Sequence, residues 1–242
     1  MKTGMQFYSF SQLINDGKFE EALNLAAHSG VDGLELYSRY EIPAITYRKA
    51  LNDTGIVWYG SHNYLVPLVE DLDNVMAYNY TAGNPTIICH YLKAEERGTK
   101  DNWLRAAEKL NKVAATLKHN GFQFLYHNHD FEFREVFDGE CGLDLILNNT
   151  DPQLVGLELH IGQLEQFGLD VVEYMKKVGR RIKILHVHQF TKTAPTFDSK
   201  PAITYGREID IPWVVLENVY PLPLDYERVK RDVATIRAMV QG

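Results

Sequence analysis

Seven histidines and three glutamates set the chemistry open to this chain. His62, His90, His127, His129, His160, His186 and His188, with Glu132, Glu158 and Glu217, all fall at or near the ends of short apolar runs, and only His28 and His119 of the nine histidines lie elsewhere. Side chains two apart on a strand share a face, so His127/His129, Glu158/His160 and His186/His188 each point one way. Buried imidazoles and carboxylates are costly unless they are paired or bind metal. Mixed sets of this kind suit Mn2+, Zn2+, Co2+ or Fe2+ better than Ca2+, which prefers oxygen ligands throughout. Beside two glutamates, one such ion can polarise a carbonyl and hold an enediolate while one carboxylate removes the neighbouring proton and another returns it. That is isomerisation or epimerisation of a sugar or keto-sugar. With a leaving group beta to the carbanion, the same groups give dehydration or lyase chemistry.

Each residue also has a plainer reading. A lone HxH on a strand is more often a polar pair than a metal site, although two such strands and two strand-end acids together favour the metal. His62 and His90, taken singly, fit substrate contacts or satisfied core histidines, and Glu158 fits a pair with a lysine. His28 and His119 fit helix ends, and Cys89 a small buried apolar position.

The elements that must carry these groups alternate short apolar runs with longer amphipathic ones, the pattern of βα units around a parallel sheet. Strands are expected over 5–9, 31–37, 56–61, 86–91, 125–133, 155–162, 184–190 and 213–219. Helices are expected over 19–28, 43–54, 71–80, 101–119, 143–148, 171–178 and 226–240; the clearest is 101–119, where Trp103, Ala106, Ala107, Leu110, Val113, Ala114 and Leu117 recur at helical spacing. Residues 191–207, rich in Thr, Pro and Lys, read as irregular. Eight strands in 242 residues predict an α/β (β/α)8 TIM barrel, a single domain over 1–242, with the helix between strands 7 and 8 shortened or missing. In such a barrel the C-terminal strand ends converge on one mouth, where active sites lie.

Composition narrows the partners. A net charge of −7 repels phosphate backbones and argues against nucleic acid. The two cysteines, Cys89 and Cys141, form no CxxC pair, which fits a reducing compartment. The N-terminus lacks the apolar run of a signal peptide, and no segment approaches the roughly 20 apolar residues that span a bilayer. The expectation is a cytoplasmic protein with a small-molecule partner and no membrane partner.

Several motifs carry a resemblance through most of the chain. They are QFYSF at Gln6, VDGLELY at Val31, SHN at Ser61, the run from Asp101 that ends in YHNHDFEF, DPQLVGLEL at Asp151, GRRIKILHVH at Gly179 and VVLENVYPLP at Val214. With them the sequence resembles the sugar phosphate isomerase/epimerase group of the xylose-isomerase-like TIM barrels. That group holds one divalent ion with a carboxylate on strand five, an aspartate on strand six, a histidine on strand seven and a glutamate on strand eight. Carried over, the resemblance implies Glu132, His160, His186 and Glu217 as ligands, with strand register offering His127 as the alternative to Glu132. It implies Glu132 and Glu217 as the acid/base pair, and His62, His90, His127, His129, Glu158 and His188 as contacts to a carbohydrate substrate. It further implies a possible homodimer.

The chain departs from that pattern in two places. His160, in ELH followed by Gln163, replaces the strand-six aspartate, and His188 and Gln189 replace the strand-seven lysine and aspartate. Two alternatives follow: a dehydratase or lyase acting on an inosose or 3-keto-glycoside with His188 as general acid, and a non-catalytic sugar-binding barrel.

Overall fold

Eight apolar runs, each short and flanked by glycine or polar turns, form eight strands because their buried length suits an extended chain covered on both faces. The computed structural model describes residues 1–37, 42–188 and 198–242. The strands are β1 Lys2–Gln6, β2 Gly33–Leu36, β3 Val57–Tyr64, β4 Thr86–Tyr91, β5 Gln123–His127, β6 Val155–His160, β7 Ile182–Val187 and β8 Trp213–Leu216. All pairs are parallel, each strand lies beside its sequence neighbours, and β8 closes on β1. The result is the TIM barrel expected from the sequence. A two-residue hairpin, Val136–Phe137 with Glu140–Cys141, stands outside it.

Helices cover the outside: α1 Phe19–Ala27, α2 Ala44–Thr54, α3 Leu72–Ala82, α4 Lys100–His119, α5 Gly142–Asn148, α6 Val171–Val178, α7 Lys200–Glu208 and α8 Tyr226–Gln241. The expected apolar stripe of α4 is buried along its whole length, and its first turn is capped by Thr99, whose side chain accepts from the Asn102 N–H. No helix among the described residues is long and apolar enough to cross a membrane.

The reading of a shortened or missing seventh helix is corrected in part: α7 is present, with nine residues. Two residues hid it. Pro201 stands in the first turn, where a missing N–H costs nothing. Gly206 is demanded by contact, since a Cβ there would lie 2.9 Å from Leu185 Cδ1. Gln189 and residues 190–197 lie outside the described residues, as does the end of the expected seventh strand.

Inside the barrel a small apolar layer of Tyr59, Ile88, Leu125, Ile184 and Val215 fills the axis. Tyr59 stacks on Trp213 at 4.1 Å between ring centroids. The Tyr59 ring lies across β1 at Gly4, where a Cβ would come within 2.5 Å of the phenol oxygen, so only glycine fits. Polar residues begin one layer above, toward the C-terminal strand ends.

Candidate functional site

The side-chain period of two carries each strand from that apolar layer to a polar one. Leu125 leads to His127, Ile184 to His186 and Val215 to Glu217, while Gly33 leads to Glu35 and Gly4 to Gln6. Register brings His127 opposite Glu158 and His160 opposite His186. Neighbouring strands therefore deliver a ring of imidazoles and carboxylates at one depth.

Glu158 is the hub of this ring. Its Oε2 accepts from His62 Nε2 at 2.8 Å and from His127 Nδ1 at 2.8 Å. His62 Nε2 also lies 2.9 Å from Glu35 Oε1, which accepts from Gln6 Nε2 at 2.6 Å. The plainer reading of Glu158, a lysine pair, is not what the structure shows: its partners are histidines. Burial opposes a charge on His62, yet the two carboxylates override it and raise its pKa to about 10. Burial and the nearby Glu158 push Glu35 well up; burial also opposes the charge on Glu158, but His62 and His127 hold its pKa well below the usual carboxylate range.

Burial works the other way on five further histidines of the site. Burial lowers His127, His90 and His160, lowers His186 to about 3 and lowers His129 to about 2. A neutral imidazole keeps a lone pair for a ligand. Both ring nitrogens of His160 and of His186 are buried without a hydrogen-bond partner, as are Glu35 Oε2 and Glu158 Oε1. Orphaned donors and acceptors at this density are what a bound ion would satisfy. Among the described residues, His62, His127, Glu158 and His186 form the group able to hold one, each offering an atom within 4.8 Å of the others.

The residues singled out in the sequence separate into three places. His62, His127, Glu158 and His186 meet in the buried ring. Above it, Glu217 follows β8 and places Oε2 3.2 Å from His188 Nε2 and 3.6 Å from His186 Nδ1. Burial opposes its charge, but His188 and His186 hold its pKa well below the usual carboxylate range. His160 packs against His188 with ring centroids 4.3 Å apart.

Glu132 is the residue the structure does not bring in. β5 ends at His127 instead of continuing to 133, because Asn128 Oδ1 accepts from the His160 N–H and residues 131–134 turn into one helical turn. The Glu132 carboxylate accepts from Tyr126 OH at 2.7 Å and from the His129 N–H at 2.8 Å. Tyr126 alternates with the inward-facing Leu125 and His127, so Glu132 sits behind the barrel wall. Of the expected ligand set Glu132, His160, His186 and Glu217, only His186 belongs to the four-residue group.

A cavity of about 240 Å³ opens above the ring, lined by Gln6, His62, His90, His127, His129 and Glu217 with Tyr8, Tyr37, Tyr64 and Tyr91. His90 stacks on His62 at 5.0 Å, and Tyr64 packs on His90 at 4.7 Å. Sequence reasoning missed Gln6, Glu35 and the tyrosines. A signal was present: Tyr8, Tyr37 and Tyr64 each stand two residues beyond Gln6, Glu35 and His62. Glu35, moreover, interrupts an otherwise apolar strand as Glu158 does.

A closed eight-stranded barrel with imidazoles and carboxylates at its C-terminal mouth has the fold of the sugar phosphate isomerase/epimerase proteins, the xylose-isomerase-like TIM barrels. It superposes on a sugar phosphate isomerase/epimerase from Parabacteroides distasonis with a TM-score of 0.85 at 22% identity over 98% of both chains. Against a D-psicose 3-epimerase the TM-score is 0.75 at 14% identity over 100% of both. At these identities the likeness is one of fold. In sequence the chain is 32% identical over 202 residues to the inosose dehydratase of Clostridium perfringens, a match covering 73% of this chain and 65% of that protein. It thus spans just under two thirds of that relative. No family model matches the sequence.

Proposed function

We propose that this chain is a metal-dependent dehydratase acting on a keto-cyclitol or keto-sugar. The observation that carries the reading is the Glu217–His188 pair, an ionised carboxylate 3.2 Å from an imidazole at the edge of the cavity. The similarity to inosose dehydratase supports it. A divalent ion bound at the ring would polarise the substrate carbonyl and lower the cost of charge developing on its oxygen.

The chain's own groups do the rest. Glu217 takes the proton from the carbon next to the carbonyl. His188 gives a proton to the hydroxyl on the following carbon as that C–O bond breaks, so water leaves and a C=C bond conjugated to the carbonyl forms. Transfer of the proton from Glu217 to His188 across their hydrogen bond then restores both groups. Tyr8, Tyr37, Tyr64 and Tyr91 supply hydroxyls and ring faces around a sugar-sized ligand.

A second reading, isomerisation or epimerisation, shares the proton abstraction and differs in returning the proton without C–O cleavage. The solved structures that share the fold favour it. Incubation with inososes and keto-sugars, followed by mass spectrometry, separates the two. Loss of one water that disappears in Glu217→Gln supports dehydration, and an isobaric product supports the second reading. Absence of turnover on every such substrate leaves the sugar-binding barrel. Free thiols at Cys89 and Cys141 support the cytoplasm as the working compartment.

A further inference from the structure

The geometry points to a single metal centre of three imidazoles and one carboxylate, His62, His127, His186 and Glu158, which takes a borderline ion of the zinc, cobalt, nickel or iron(II) kind in preference to manganese or magnesium. This rests on the metal-dependent reading above and says which residues of this chain make the centre and what ion they choose.

The position differs from the one that resemblance to other barrels implies. There the ligands come from strands five to eight and are mostly carboxylates. Here they come from β3, β5, β6 and β7, one layer deeper, and β8 contributes none. Three observations favour the deeper set. Glu132 is spent on Tyr126 OH and the His129 N–H behind the wall. Glu217 is engaged by His188. The four deeper residues are the ones whose donor atoms already lie within 4.8 Å of one another, all of them buried, and an ion entering between them takes the place of the proton His62 shares with Glu158.

Ligand type then fixes the ion. Imidazole suits zinc, iron, nickel and copper, whereas carboxylate, carbonyl and water suit magnesium, calcium and manganese. Three imidazoles and one carboxylate leave a divalent ion with a net charge of +1, against −1 for three carboxylates and one imidazole. The +1 centre is the stronger Lewis acid toward a neutral carbonyl. Glu35 completes the surroundings: its Oε1 lies 2.9 Å from His62 Nε2 and 3.8 Å from His186 Nε2, and Gln6 holds it in place. Such outer partners orient ligand imidazoles.

Metal-free protein loaded with one equivalent of Cu2+ as a paramagnetic probe tests this by pulsed EPR, which counts coupled imidazoles. Three are expected, falling to two in His62→Gln and staying at three in Glu217→Gln. In parallel, equilibration with equimolar Zn2+ and Mn2+, followed by elemental analysis, should leave zinc on the protein. One or two imidazoles in the unmodified chain, loss of an ion ligand in Glu217→Gln, or retention of manganese overturns the inference while leaving the proposed dehydratase intact. Failure to bind any of these ions removes the metal from both. Should His62→Gln not fold, the count on the unmodified chain together with Glu217→Gln decides the matter.

Discussion

Glu158 and Glu132 are both fully buried glutamates close to β5, and their surroundings give them opposite roles. Glu158 holds two histidines, so Glu158→Ala should destabilise the chain by about 3–5 kcal/mol through the unpaired charge it leaves, read from urea unfolding. Glu132 is raised to about 7, chiefly by burial. In the unfolded chain it loses its proton near 4.5, so between 4.5 and 7 the folded state binds the extra proton and stability falls as pH rises through that window. The loss amounts to about 3 kcal/mol from a rise of this size. Glu132→Gln should flatten the dependence in unfolding curves taken from pH 4 to 8, because the amide oxygen still accepts from the His129 N–H while its NH2 can donate to the Tyr126 hydroxyl oxygen. In the proposed dehydration Glu217 takes the proton, so Glu217→Gln should lower kcat by roughly 10²–10⁴-fold with unchanged circular dichroism.

At the scale of elements, apolar runs and helical periodicity made the barrel legible, and α4 most of all. What stayed hidden was hidden by residues whose meaning depends on their neighbours. Pro201 and Gly206 look like helix breakers until the first turn and Leu185 account for them. The end of β5 was misjudged because Phe131 and Phe133 continue an apolar alternation that Asn128 breaks by bonding across to β6. Glu132 entered the expected site through the resemblance of YHNHDFEF, whereas strand register offered His127, the residue that meets Glu158. Glu35 is not legible from strand ends, because the polar ring sits one period in, with tyrosines occupying the ends. The same alternation makes Gly4 a test of the layer beneath: Gly4→Ala would push a methyl against the Tyr59 ring and should cost about 1–3 kcal/mol, measured by thermal or urea unfolding.

For the whole molecule, the proposed centre on β3, β5, β6 and β7 would tie half the barrel together through one ion. An ion at 100 times its Kd adds about 2.7 kcal/mol to folding stability. Zn2+ should therefore raise the Tm of the metal-free protein and a chelator should reverse the rise, both seen by calorimetry, while the rise should be smaller in His62→Gln. The stacked Tyr59 and Trp213, with Ile88, Leu125, Ile184 and Val215 packed beside Tyr59, seal the barrel axis below the ring. The site is thus a blind-ended vessel. In the proposed dehydration the water forms beside His188 at the mouth while the carbonyl end of the product lies at the closed end, so water should leave first and the unsaturated ketone should act as a stopper when it accumulates.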